Sequence, residues 1–93
     1  MYEFMINNYF ENLDKNKITY LALKNDIHLS DNELDYLYLT LKKEYKILLS
    51  DDYQVVFDKA KNNLSDVDLQ KLLNLYLVYR KMYEGFFIKK SDY

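Results

Sequence analysis

Cysteine, proline and tryptophan are absent from the chain, and glycine occurs once, at Gly85. Without cysteine there can be no disulfide and no thiolate metal ligand, which suits a reducing compartment. Without proline, helices run uninterrupted. A single glycine cannot build a glycine-rich phosphate loop. Histidine is also single, His28, so neither a multi-histidine zinc site nor a Ser-His-Asp arrangement is available. No apolar run approaches the ~20 residues a membrane span needs. Met1 leads to Glu3 with no basic segment ahead of an apolar run, so no signal peptide is expected. These absences predict a soluble cytoplasmic protein without cofactor, metal or catalytic residue, and not an enzyme. The net charge of −2 gives no bulk attraction to nucleic acid.

What is present is a helical alphabet with an aromatic surplus. Ninety-three residues suit one domain, expected over 1–88, with 89–93 as a frayed tail. Tyrosine occurs eleven times, asparagine nine and lysine twelve, against one arginine and two alanines. Tyr, Asn, Lys and Ile have AT-rich codons, which points to a low-GC Gram-positive bacterium, a mollicute or one of their phages.

The most apolar segment is 64–87. Ser65 and Asp68 stand as cap and third helical position, with Leu64 and Leu69 as a hydrophobic staple. Leu69, Leu72, Leu73, Tyr76, Tyr79 and Tyr83 recur at three- and four-residue steps. Gly85 suits the left-handed position past a helix end, so a helix is predicted over about 66–84. Its polar stripe, Gln70, Asn74, Lys81 and Glu84, contains Leu77 and is flanked by Val78. A helix apolar nearly all round needs cover from its own chain or from another.

Four shorter or capped helices precede it. The first, about 3–12, carries Phe4, Met5, Tyr9 and Phe10; the second spans about 17–24 after a turn or cap at Asp14–Asn16. Asn25-Asp26 ends the second, and the apolar ends of Ile27-His28-Leu29 should tuck in. Ser30 with Glu33 forms a full S-x-x-E capping box that opens a third helix over 31–49. Asp51 and Gln54 suggest a cap for a fourth helix over 52–61. The units Ile18–Leu49 and Tyr53–Glu84 share Leu29/Leu64, Ser30/Ser65, Asp31/Asp66 and Leu34/Leu69. Cap chemistry selects most of these letters, so two helical hairpins are the simpler reading than a repeat.

The acids Asp31/Glu33/Asp35, Asp51/Asp52 and Asp66/Asp68 each begin a helix, where the macrodipole favours negative charge; calcium-loop spacing is missing. The tyrosines are the unusual resource. They can roof a small core with their hydroxyls in water, or mark a recognition surface. On the last helix Tyr76, Leu77, Val78, Tyr79, Arg80 and Tyr83 form the candidate protein-interaction surface, and Arg80 can stack on Tyr76 or Tyr79.

The stretch Asn25-Asp26-Ile27-His28-Leu29-Ser30-Asp31-Asn32-Glu33-Leu34, behind a short helix, resembles a small uncharacterised family of helical proteins from low-GC Gram-positive bacteria. The resemblance covers about 18–48 and implies a helical fold, with no activity or site residue attached. The predicted fold is all-α, a small five-helix bundle of one short N-terminal helix plus two helical hairpins, its core formed by the long third and fifth helices. The expected function is a non-enzymatic protein–protein interaction module, a phage- or mobile-element-encoded inhibitor or a homodimer. The alternative is a helix-turn-helix DNA-binding regulator built on 17–45. Against it, the linker is longer than a tight turn and the would-be recognition helix opens with Asp31, Glu33 and Asp35.

Overall fold

The computed structural model describes residues 2–82. The expected helix stop at Gly85, the candidate residue Tyr83 and the tail from Phe86 onward lie outside the described residues. Within them are five helices and no strand: α1 (Tyr2–Glu11), α2 (Lys15–Lys24), α3 (Asp31–Leu48), α4 (Gln54–Ala60) and α5 (Asp66–Met82). The protein is all-α, as its periodicity predicts. Its internal contacts divide the chain into two compact units that meet between Tyr45 and Lys46.

In the first unit, local chemistry starts and stops each helix. Asp14 takes an extended conformation and its Oδ1 accepts the Lys17 N–H at 2.8 Å, so α2 begins at Lys15, two residues earlier than predicted. At the far end of α2 the Ile27 N–H donates to the Ala22 carbonyl at 2.8 Å and the Asp26 N–H to that of Leu23 at 3.1 Å. This pair of hydrogen bonds is a Schellman motif, with Asp26 in the left-handed conformation at φ 60°. Asp tolerates that region better than most side chains. The next residue, Ile27, is driven inward and is only 1% exposed.

The capping box that opens α3 is complete. Glu33 N–H donates to Ser30 Oγ at 3.2 Å, and Ser30 N–H donates to Glu33 Oε1 at 3.0 Å. Further along, α3 is tied to the two helices before it. Lys15 Nζ reaches Asp35 Oδ1 at 2.5 Å, and the ammonium groups of Lys15 and Lys42 each lie 5.6 Å from the Tyr38 ring centroid. Lys42 also donates to the Glu11 carbonyl. The Asp35 hydrogen bond holds the Lys15 ammonium above the ordinary lysine value, although both groups are solvated and the pair stabilises little. Tyr45 docks α1: its ring stacks on Phe10 at 4.7 Å, and its hydroxyl donates to Asn7 Oδ1 at 2.6 Å. Phe4, Met5 and Tyr9 of α1 remain exposed.

The second unit begins with the last turn of α3. Ser50 Oγ donates to the Ile47 carbonyl at 2.7 Å and accepts the Asp52 N–H at 3.1 Å, turning the chain. Helix α4 then starts at Gln54 rather than near Asp52. Its N-cap position is Tyr53, which makes no side-chain cap hydrogen bond. The predicted cap at Asp51 does not form, because that carboxylate is held by Arg80 of α5.

The buried apolar positions correct the expectation that the two long helices supply the core. No described residue of α5 is buried. The connectors supply much of it instead: Leu13 between α1 and α2, Ile27 between α2 and α3, and Leu64 between α4 and α5. Ile18, Ala22 and Tyr45 join them in the first unit, and Leu48, Val56 and Ala60 in the second. Short helices present narrow apolar faces, so the residues that leave them complete each small core.

Candidate protein-interaction surface on α5

Helix α5 starts as its sequence predicts, with Ser65 Oγ accepting the Asp68 N–H at 3.2 Å. Its side chains then divide by angle, at about 100° per residue. Leu69, Leu72, Leu73, Tyr76 and Arg80 fall on one half and are all partly buried, while Gln70, Asn74, Val78 and Lys81 fall on the other and are exposed.

The inward half is anchored by an aromatic and cationic cluster. The Tyr76 ring lies 5.1 Å from Tyr53 and 5.3 Å from Phe57, and those two rings meet edge to face at 6.3 Å. The Tyr76 hydroxyl donates to the Leu48 carbonyl. Arg80 lies over the Tyr53 ring, 4.8 Å from its centroid. Its Nη1 donates to the Ser50 carbonyl at 2.9 Å, to the Tyr76 hydroxyl at 2.8 Å and, at 3.4 Å, to the Leu48 carbonyl. Its Nη2 donates to Asp51 Oδ1 at 3.0 Å.

The last carbonyls of a helix have no partner inside it and carry the negative end of its dipole. Arg80, whose side chain is 16% exposed, supplies a planar cation at that end of α3. Burial pushes the Tyr76 phenol above its ordinary value, and the hydrogen bond from Arg80 offsets part of that rise.

The candidate surface therefore has two kinds of member. Tyr76 and Arg80 serve the interior of the second unit. Leu77, Val78 and Tyr79 are 40%, 56% and 40% exposed, and Met82, which the sequence reading passed over, is 63% exposed. Arg80 stacks on Tyr53, a partner that the spacing within α5 does not suggest. Asp51, Tyr53 and Phe57 were missed as partners of the last helix. The four-residue step from Tyr53 to Phe57 was a usable signal, since it places both rings on one side of a helix. For Asp51 no local signal existed.

A cleft of about 350 Å³ in the first unit is lined by Tyr9, Asp14, Asn16, Lys17, Tyr20 and Leu21. Its charged groups have structural duties: Asp14 caps α2 and Lys17 donates to the Asn12 carbonyl at 3.3 Å. Among the described residues no three His, Asp or Glu side chains converge as metal ligands, and no helix is long and apolar enough to cross a membrane.

Fold and surface together define a class: a small all-α protein whose last described helix is pinned on one side and carries apolar side chains on the other. Comparison with protein families, with curated proteins and with solved structures found no match to this chain.

Proposed function

We propose that the protein is a non-enzymatic interaction module that binds another protein through the outer side of α5. The observation that carries this reading is the contrast within about two helical turns. Tyr76 and Arg80 hold the helix in place, while Leu77, Val78, Tyr79 and Met82 stay open to solvent. An anchored helix offers apolar side chains at small entropic cost on binding, because its backbone is already ordered. Partly exposed tyrosine and leucine flanks are suited to fill a pocket on a partner.

The test compares wild type with Leu77→Asp and Tyr79→Ala. Partner capture from a low-GC Gram-positive lysate and solution mass by light scattering are read together, with circular dichroism as the check on folding. The expected outcome is a captured protein lost in both variants at unchanged helicity. A mass of two chains that falls to one in the variants would assign the surface to self-association. Capture and mass unaltered by both substitutions would sink the reading.

A further inference from the structure

We infer, resting on the reading of α5 as an interaction surface, that its partner presents an acidic amphipathic helix. At about 100° per residue, Val67, Lys71, Asn74, Val78, Lys81 and Met82 fall within about a third of the circumference of α5, on the side away from Tyr76 and Arg80. Val67, Val78 and Met82 are 63%, 56% and 63% exposed, Lys81 is exposed and Lys71 partly so. Leu77 lies at the edge of this strip. From Leu69 to Met82 there is no Asp or Glu, whereas Lys71, Arg80 and Lys81 are cations. Arg80 turns inward to Asp51, so the two lysines carry the outward charge. The strip is positive on a chain whose net charge is −2.

The helix dipole accounts for the cations in the last turn of α5, Arg80 and Lys81. It does not account for Lys71 in the first half, or for a long stretch free of acids. What the strip can take follows from its spacing. Lys71, Asn74, Val78 and Lys81 advance by three or four residues, about 5 Å a step, which is the spacing of side chains along one face of a second helix. Apolar residues of such a helix cover Leu77, Val78 and Met82, and carboxylates at their flanks meet Lys71 and Lys81. A second copy of the chain fits less well. Laid parallel, two copies set Lys71 on Lys71 and Lys81 on Lys81. Laid antiparallel with their Leu77 turns crossing, they bring the Lys71 of each close to the Lys81 of the other. Like-charge juxtaposition weighs against both arrangements.

The probe is a designed helical peptide of about three heptads, with a leucine stripe flanked by glutamates, and a twin in which every glutamate is lysine. Binding of each to the full chain is read by chemical-shift perturbation at low and at high salt. The acidic peptide should bind about tenfold more tightly than its twin at low salt, and lose that preference at high salt. Lys71→Glu with Lys81→Glu should reverse the preference. Lys71→Gln with Lys81→Gln, which keeps good helix formers, should abolish it, and circular dichroism checks the fold of both variants. Equal binding of the two peptides, or a preference that the lysine substitutions leave unchanged, overturns the acidic partner while leaving α5 as an apolar docking face. Binding of neither peptide overturns the acidic amphipathic helix as the partner. A mass of two chains without peptide, reduced to one by Leu77→Asp, puts a second copy in its place and overturns it as well. The interaction reading itself fails separately, when capture and mass are indifferent to Leu77→Asp and Tyr79→Ala.

Discussion

The hairpin of α2 and α3 and the hairpin of α4 and α5 enter their long helices through the same three letters, Leu-Ser-Asp, and are closed by different physics. In the first, short-range hydrogen bonds do most of the shaping. Asp14 caps α2, a Schellman turn ends it, and the reciprocal bonds of Ser30 and Glu33 open α3. In the second, α4 has no side-chain cap, and a long-range clamp of Arg80, Tyr76, Tyr53 and Asp51 joins α5 to the end of α3. The first hairpin is specified mainly within four or five residues of each bond. The second needs groups some thirty residues apart to find each other.

The largest expected effect breaks the first hairpin. Ile27→Ala removes a nearly fully buried side chain at the Schellman turn and should cost about 3 kcal/mol. Urea unfolding followed by circular dichroism measures it, and a loss under about 1 kcal/mol would mean that Ile27 is not central to that core. Next comes the clamp. Arg80→Met keeps most of the stem but leaves the Leu48 and Ser50 carbonyls and Asp51 without their cation, at a cost of about 2 kcal/mol. Arg80→Lys should recover little of this, because an ammonium cannot serve those acceptors in one plane while stacking on Tyr53. Full rescue by lysine would show that charge alone matters.

A smaller effect sharpens the comparison of the two helix starts. Ser30→Ala should cost about 1 kcal/mol, since it takes the side-chain acceptor from the backbone N–H of Glu33, a buried residue. Ser65→Ala, at an exposed cap, should cost about half as much. Equal losses would argue that burial of Glu33 adds nothing.

The smallest effect is a pH dependence in the second hairpin. Burial raises the Tyr76 value in the folded state, so the neutral phenol is favoured there. Its contribution is fully present below the ordinary tyrosine value of about 10 and is lost as pH rises through the higher folded value. The stability advantage of wild type over Tyr76→Phe should therefore be constant near about pH 8 and shrink towards about pH 11. A gap that widens with pH would reverse the sign of the assignment.

Much of the helical framework was legible because its causes are local. Ser30 and Ser65 announce α3 and α5, and both cap bonds form. Asp51 misled because Asp-Asp after Ser50 looks like a cap, and a cap carboxylate can be taken by a cation from elsewhere; Arg80 takes it. Counting apolar stripes also misplaced the core. A stripe shows which side chains could be covered, but cover depends on what packs there, and α5 keeps Leu77, Val78 and Met82 exposed. Within the candidate surface, spacing grouped Tyr76 and Arg80 with Leu77, Val78 and Tyr79, although the helix turns the first two inward, puts Val78 on the far side and leaves Leu77 and Tyr79 on the flanks.

By itself the sequence determined the all-α class, the starts of the two long helices and the end of α2. Those features follow from side chains acting on backbone groups three or four residues away. Tertiary structure alone decided that α5 buries none of its described residues, that α4 begins late, that α3 breaks at Glu44 and that Arg80 closes the end of α3. Each of these depends on contacts such as Tyr45 with Asn7 and Tyr76 with Leu48, which lie 38 and 28 residues apart in the chain. Local hydrogen-bonding preferences have no means of encoding which distant partner arrives. Packing and desolvation choose it once the helices exist.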